Sequence, residues 1–461
     1  MDGPGNGARV NQDLHVFLCE YGEANPGDVL VVDEEISAEE EVTALAAELA
    51  ARGREPLICC PKVTGLGVEL VTNVFASRDR IASLFGTTPA GLHAAYQARA
   101  RAATPPRLLP YGPALDEVAT GDAADLAAVP MIRHFASDLG RYITSGIVVA
   151  EDPDGEAGNL SYHRATPHSP RELALSLHSR GDLWRLLGRA AELGRPLPVA
   201  MVLGGHPLFM LAASARVGPG VDERDIAGGL FGAPLDVVRT PVHGIRVPAT
   251  ADFVIEGVID PAARAPEGPF GEFSGYSSHR STNNVLRVDA ICRRRGALLL
   301  DVVAGNSAEH LNLARVPRES EMAEQLRTRF PDVTALHYPA SGTHFHAYVA
   351  LRGHRPGQAR QVMLGLLGWD PYLKTVIAVD EDVDVTDDRA VLWALAAHFQ
   401  PHRDLFVVDG LPGSPLDPSA GPDGTTSRMA LDATRPPGFE GDPIRLSPSA
   451  IARARSLLQT L

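Results

Sequence analysis

The chain is 461 residues long, enough for roughly two to four domains with real cores, and its 44% hydrophobic and 21% charged residues fit a folded globular protein and not a disordered one. With 42 basic against 57 acidic side chains, the formal charge of -15 argues against a general nucleic-acid or anionic-membrane binder, because phosphate needs clustered positive charge. Four cysteines without a CxxC spacing, an N-terminus without signal-peptide character, and no run near the ~20 apolar residues of a membrane span predict a reduced, soluble, cytoplasmic protein.

The first hundred residues alternate strand and helix. Asp28 to Val32 is a short apolar run, Ser37 to Glu40 carries a capping-box signature, and VTALAAELAARG follows at helical spacing. Gly53 falls at the helix end, and Leu57 to Cys60 is the next strand. The proline-rich stretch 103–113 has no periodicity and is expected to be a linker. From about Met131 to Asn306 the pattern changes to short strands, at Tyr142 to Ala150, Pro198 to Leu203, Phe253 to Ile259, Val285 to Ile291 and Leu298 to Val303. The last two suggest a hairpin with Arg293 to Gly296 at its tip. One helix, Gly181 to Leu193, stands out in this region. Mostly strands with few helices predicts a β-barrel-like middle domain.

After Pro317 the alternation returns. Glu319 to Phe330 and Val391 to Phe399 are helical in pattern, while His344 to Leu351 and Thr375 to Val379 are strands. Leu411 to Thr426 reads as a loop, and Pro448 to Leu461 as an amphipathic terminal helix suited to a partner subunit. Lys62 and Lys374 are the two lysines of the chain; every other basic residue is Arg.

The segment Glu267-Gly-Pro-Phe-Gly-Glu272 is the most informative for chemistry. Pro269 forbids an ordinary helix interior and the glycines permit a tight bend, so the two carboxylates can converge. Converging carboxylates repel, which raises at least one pKa. The spacing alone suits a surface turn with two solvated acids equally well. In Asn159-Leu-Ser-Tyr-His-Arg164, the Arg164 fork matches a carboxylate and Asn159 offers a neutral oxygen ligand. Asn159 with His178 and Glu223 would make an oxygen/nitrogen site for Mn2+ or Mg2+, though sequence separation does not bring them together. His344 and His346 alternate along an expected strand, with no further ligand at a recognisable spacing. The glycine pairs at 204–205, 218–220 and 228–229 do not form a dinucleotide-binding fingerprint, and GEFSG at Gly271 to Gly275 is no nucleophile elbow.

Taken together, these segments resemble the UbiD family of decarboxylases, which use prenylated flavin mononucleotide. The matching stretches are EGPFGEFSGY (Glu267 to Tyr276), LVTNVFASRDRIASLFG (Leu70 to Gly86), DLGRYITSG (Asp138 to Gly146), NLSYHR (Asn159 to Arg164), DERDIAGGL around Glu223, YLKTVIAVDEDVD (Tyr372 to Asp384) and SRMALDATRP (Ser427 to Pro436). The resemblance implies that Arg164, Glu267 and Glu272 form the catalytic set. It also implies that Asn159, His178 and Glu223 hold Mn2+ against the cofactor phosphate, with K+ as a further ion. Tyr162, His163, Arg164, His178, Arg180 and Lys374 are the implied cofactor contacts. Ser161 stands where the family has Gly, and His163 where Tyr is common.

The implied fold class is α+β. It comprises an N-terminal α/β domain (1–112), a middle split β-barrel of flavin-reductase type that binds prenylated FMN (113–315), a C-terminal α/β domain (316–440) and a terminal helix (441–461) at an oligomer contact. The implied reaction is reversible non-oxidative decarboxylation of an α,β-unsaturated or aromatic carboxylic acid, with Glu272 as proton donor. The expected partners are a small carboxylic acid, a flavin prenyltransferase as cofactor supplier, and a second copy of the chain in a homodimer or higher homo-oligomer; no nucleic acid or membrane is expected. Two other readings fit the same residues: a metal-dependent hydrolase using the paired carboxylates, and a non-catalytic flavin-binding protein of the same fold.

Overall fold

The computed structural model describes residues 10–155, 158–177, 181–218, 220–353, 355–442, 444 and 446–458. Its N-terminal sheet has four strands in the order Val29–Val31, Leu57–Cys60, Leu70–Thr72 and Leu299–Leu300. The helix Glu41–Ala51 covers it, and Gly53 at φ 68 turns the chain out of that helix. The expected capping box does not form. Ser37 lies in the short strand Ile36–Ser37, the cap position is Glu40, and the Glu41 carboxylate accepts a 2.6 Å hydrogen bond from the Ser37 amide. An additional helix, Leu14–Ala24, opens the described chain behind an Asp13 cap.

The expected hairpin at Arg293 to Gly296 does not form. Beyond that turn, Leu299–Leu300 leaves the middle domain and pairs in parallel with Leu70 and Val71. Leu299 and Leu300 are 3% and 0% exposed, and a continuous apolar run of this kind suits a parallel strand buried on both faces better than a half-solvated hairpin arm. The segment 103–113 is likewise more than a linker. Arg107–Leu108 pairs in parallel with Asp236–Val237, and the Ala114 amide donates to the Ala249 carbonyl.

The middle domain is built on an eight-stranded sheet. Its order runs Ala165–Ser169, Glu172–Leu175, Ser281–Arg293, Phe253–Glu267, Leu197–Leu203, Ile147–Glu151, Gly158–Tyr162, with Glu117–Thr120 added on Ser281–Arg293. Gly158–Tyr162 and Ala165–Ser169 therefore occupy opposite ends of the order, although only His163 and Arg164 separate them in sequence. Such a short link requires the sheet to curl back on itself. An isolated bridge from Ile143 to Ala165 crosses the seam, and the ladder stays open there. Arg164 sits at this seam.

The helix Asp182–Glu192 forms as expected, but Pro207–Ala212 and Glu223–Phe231 are also helical. These two are short and buried nearly all round, so they carry no polar face that periodicity would reveal. A Cβ on Gly228 or Gly229 would collide with the carbonyl oxygens of Thr104 and Arg99, so both glycines let the Glu223–Phe231 helix lie directly on the chain that precedes it.

The helix Ala308–Arg329 runs unbroken past Pro317, so the boundary expected after residue 315 falls inside it. Beyond it lies a five-stranded sheet in the order Val333–His337, His346–Leu351, Thr375–Asp380, Thr425–Asp432, Leu405–Pro412, with helices Gln358–Trp369 and Asp388–His398. His344 precedes the second strand, is 6% exposed and does not share a strand face with His346. The expected loop at Leu411 to Thr426 is the connection of a β-hairpin whose arms include its two ends. The terminal helix Pro448–Leu458 has no buried residue. No helix among the described residues is long and apolar enough to cross a membrane.

Two apolar clusters each mix N-terminal and middle-domain side chains. One joins Leu57 and Phe75 to Val202 and Val254, and the other joins Val42 and Ile58 to Val148 and Ile255. Glu309, fully buried, ties the same two domains: it accepts from the Thr72 hydroxyl (2.9 Å) and the Val303 amide (3.0 Å). Burial pushes its carboxyl up to about 7.

Two outcomes follow from this packing. Gly228→Ala is expected to lower unfolding free energy by about 1–3 kcal/mol in urea titrations, because backbone carbonyl oxygen is the atom the new methyl meets. Because the Glu309 pKa is raised on folding, its contribution is present below the ordinary carboxylate range and is lost as pH rises through about 7. The stability of wild type minus Glu309→Gln is therefore expected to fall by up to about 3 kcal/mol between pH 4.5 and 8; a flat difference across that window would contradict it.

Candidate active site

Glu267 is the last residue of the long strand Phe253–Glu267, and Glu272 follows in a bend that starts at Gly268 (φ 76). Hydrogen bonds within the bend hold its shape: Ser278 N to Phe270 O at 2.8 Å, Glu272 N to Tyr276 O at 3.0 Å and Gly275 N to Glu272 O at 2.9 Å. Asp138 fixes the bend from outside. Its carboxylate accepts from the amides of Gly271 (2.9 Å) and Phe135 (3.0 Å). The Phe135 ring fills the space that a side chain at Gly271 would need.

The bend and the seam place the three expected catalytic side chains together. Arg164 grips Glu267 with two bonds, Nε to Oε1 at 2.8 Å and Nη2 to Oε2 at 3.0 Å, and its Nη1 donates to Glu272. Its guanidinium lies over the Phe270 ring, 4.9 Å from the centroid. Glu267 is fully buried and also accepts from Asn283 Nδ2 at 2.7 Å. Burial works against the Arg164 charge, but the Glu267 hydrogen bonds and the Glu272 charge outweigh it and hold its pKa above the ordinary value. Glu272, 7% exposed, has its carboxyl raised above the usual range. The main cause is burial, with Arg164 pulling the other way and the repulsion from Glu267 smaller, so desolvation outranks the expected carboxylate repulsion.

Arg164 and Glu272 line a cavity of about 600 Å³ together with Thr144, Tyr162, His163, Phe270 and His310. The Tyr162 hydroxyl donates to the Met210 carbonyl at 3.1 Å, and the His163 ring lies between Ser176 O and Ser161 Oγ, each 2.9 Å away. Both residues therefore lie on the wall of the larger cavity. A second cavity, about 400 Å³, adjoins the first through Pro415. Its walls include Asn159, Ser161, Arg216, Glu223 and Tyr372.

Asn159 and Glu223 also come together, 5% and 3% exposed, with Asn159 Nδ2 3.4 Å from Glu223 Oε1. Local structure explains this. Asp222 caps the helix that Glu223 begins, and the Arg224 guanidinium, held by Asp222 and Glu151, lies where a side chain at Gly158 would stand. Glu223 accepts from the Leu160 amide at 2.9 Å, and burial still pushes its carboxyl up to about 7. The Asn159 amide nitrogen is the atom that faces the Glu223 carboxylate, and a desolvated carboxylate of this kind suits a hard cation such as Mn2+. Ser161 Oγ donates to Asn159 Oδ1 at 2.9 Å and so orients that amide. His178 and Arg180 lie outside the described residues. Among the described residues there is no group of three His, Cys, Asp or Glu placed to hold a metal.

Lys374 differs from expectation. It is not on the wall of either cavity; its ammonium binds Asp417 (2.9 Å) and the Ser419 hydroxyl (2.6 Å) in the 413–424 connection. Asp417, a buried acid of that connection, holds the ammonium there. Sequence reasoning missed Asp138, Asn283, Phe270 and His310 as parts of the site. Asp138 was visible only as the first residue of a family-like stretch.

Three family models cover most of the chain. They describe the N-terminal (residues 23–99), Rift-related (109–307) and C-terminal (311–433) domains of 3-octaprenyl-4-hydroxybenzoate carboxy-lyase. A curated relative, anhydromevalonate phosphate decarboxylase of Aeropyrum pernix, is 35% identical over 409 residues, 88% of this chain and 90% of its own. The UbiD-class enzyme HmfF of Pelotomaculum thermopropionicum, solved with FMN, matches with TM-score 0.89 at 31% identity, over 95% of this chain and 98% of its own. An evolved dimeric form of HmfF in complex with prFMN matches with TM-score 0.85 at 28% identity, over 95% and 100%. With its fold, all three domain models and a relative 35% identical over 88% of the chain in agreement, the chain belongs to the UbiD family of carboxy-lyases.

Proposed function

We propose that this chain carries out the reversible, non-oxidative decarboxylation of an α,β-unsaturated or aromatic carboxylic acid with prenylated FMN bound across the two adjoining cavities. The observation that carries this reading is the Arg164 fork closed on Glu267 with Glu272 beside it at the wall of the larger cavity. When bound, the prenylated flavin supplies the electron sink for the charge left as CO2 departs, which no side chain delocalises well.

The side chains supply position and protons. Of the five N–H donors of Arg164, three are used by the two glutamates, and the remaining two can orient a substrate carboxylate. Buried Glu267, held by Arg164 and Asn283, keeps the fork from turning. Glu272, with its raised pKa, retains its proton nearer neutrality than a solvated acid and delivers it to the carbon that loses CO2. Asn159 and Glu223 would hold Mn2+ against the flavin phosphate, with His178 as the third ligand and K+ as a companion ion, so that an acidic protein accepts an anionic cofactor. Tyr162 and His163, and with them Arg180, complete the proposed cofactor contacts; Lys374, held by Asp417 away from both cavities, is not among them. The exposed helix Pro448–Leu458, with Ile451, Leu457 and Leu458 at its surface, is the proposed contact with a second copy. A cytoplasmic location beside a flavin prenyltransferase completes the reading.

The test is protein made with and without a flavin prenyltransferase, assayed for CO2 release and for deuterium exchange into unsaturated and aromatic acids. Activity is expected only with the prenylated flavin. Activity without flavin would favour a metal-dependent hydrolase, and flavin binding without turnover a non-catalytic binder. Glu272→Gln is expected to lower turnover by about 10²–10⁴-fold while retaining the flavin absorbance; unimpaired turnover removes Glu272 from the proton step. Glu223→Gln is expected to lose Mn2+ from the protein and flavin on gel filtration; unchanged content of both, by metal analysis and absorbance, removes Glu223 from the metal site.

A further inference from the structure

The bend from Glu267 to Tyr276 carries two phenylalanines, and they face different domains. Phe270 stays with the middle domain, against the Arg164 guanidinium and 4.6 Å from the Tyr142 ring. Phe273, the residue after Glu272, is 5% exposed and packs on three rings of the C-terminal domain. Its centroid lies 4.7 Å from that of His344, 5.5 Å from that of Phe345 and 5.8 Å from that of Tyr372. All three pairs are tilted or edge-on, as aromatic quadrupoles favour. On the other side of Glu272, the Gly271 amide is held in the middle domain by the Asp138 carboxylate at 2.9 Å. Glu272 therefore sits between two anchors, one in each domain.

The rings that receive Phe273 are themselves held. The Phe345 carbonyl accepts from the amides of Lys374 (2.7 Å) and Thr375 (3.0 Å), and the Lys374 ammonium lies 5.5 Å from the Phe345 centroid. The Tyr372 amide donates to the Asp370 carboxylate at 3.0 Å, and the Arg318 guanidinium stands 4.7 Å from the Tyr372 centroid. Because Lys374 also grips Asp417 and Ser419, the receiving rings are continuous with the 413–424 connection, which gives Pro415 and Leu416 to the wall of the larger cavity. The bend has little else to fix its place after Gly271. Its backbone hydrogen bonds there, from Glu272 to Tyr276 and from Gly275 to Glu272, run within the bend and set its shape.

We infer that Phe273 is a positioning residue that ties the backbone of Glu272 to the C-terminal domain, so that the proton donor is in place only while that domain is seated on the bend. Arg164 holds the Glu272 carboxylate by its tip, whereas Phe273 holds the chain from which it projects. A proton donor displaced by about 1 Å loses much of its rate, which makes a ring beside the donor an effective control on turnover. The tie itself stands on the ring geometry; its meaning for proton delivery rests on the decarboxylase reading.

The experiment follows amide hydrogen exchange and turnover in the flavin-loaded, full-length protein. Phe273→Ala is expected to speed exchange across 271–278 by about 10-fold or more. It is also expected to lower kcat by about 10- to 100-fold with KM changed less than about 3-fold and the flavin absorbance kept. Phe273→Leu, which still fills the space between the rings, is expected to recover most of both. Phe345→Ala, on the far side of the contact, is expected to loosen the same amides. Val362→Ala, in a C-terminal apolar cluster that does not include these rings, is expected to leave the bend and kcat as in wild type. Unchanged exchange in both Phe273→Ala and Phe345→Ala, a loss carried by KM alone, or an equal kcat loss in Val362→Ala overturns the inference. Where the alanine variants do not fold, the wild-type protein decides it: the amides of 271–275 and 343–346 are expected to open together as urea is raised, and separate opening overturns it. A bend that loosens as expected in a protein that releases no CO2 keeps the tie and removes the decarboxylase reading. CO2 release with unchanged exchange in both alanine variants does the reverse.

Discussion

A guanidinium and two carboxylates brought out of water together are the constraint on which the site depends. Each charge alone in this interior would cost several kcal/mol, and the geometry offsets it only because Arg164 meets Glu267 through two aligned bonds and reaches Glu272 with a third. The neighbours serve that arrangement. Asn283 takes a remaining lone pair of Glu267, Phe270 lies under the guanidinium, and Asp138 holds the bend from which Glu272 projects. The triad also lies at the open seam of the middle sheet, since Arg164 occupies the two-residue link between strands at opposite ends of the order. Fold and site are thus coupled: a change in how the sheet curls moves the arginine away from its acids.

The N-terminal and middle domains act as one body because neither has a complete core alone. The strand Leu299–Leu300 is handed back to the N-terminal sheet, and apolar side chains from both domains interleave in the two largest clusters. The helix Ala308–Arg329 then carries this body into the C-terminal domain. On it, Glu319 is bound by Arg78 (2.6 Å) and His93 (2.8 Å) from the N-terminal part and by the Tyr338 amide (2.8 Å) from the C-terminal part. Arg318 on the same helix pairs with Asp370. The cavities lie between the middle domain and the 413–424 connection, and the helix that carries His310 borders the larger one.

Much of this was legible in the amino-acid sequence. Local rules found the helix Asp182–Glu192 because it has one dry face and one wet face, and the strand Leu57–Cys60 and the C-terminal strands because short apolar runs bounded by polar or turn residues suit buried strands. They failed where an element is buried on all sides, as at Pro207–Ala212 and Glu223–Phe231, or where pairing is decided by a distant partner, as at Leu299–Leu300. Ser37 misled because its backbone was taken by a strand before it could cap a helix.

By itself the sequence determined the family, the α+β domain plan and which residue types meet in the site, since motifs in a set order are a one-dimensional property. Only the tertiary structure decided that Arg164 spends two bonds on Glu267, that burial outranks repulsion in raising Glu272, that Lys374 is bound to Asp417, and that His310 faces the same cavity as Glu272. Those facts depend on desolvation and on distances between residues up to a hundred and more positions apart, and neither quantity exists until the chain has folded.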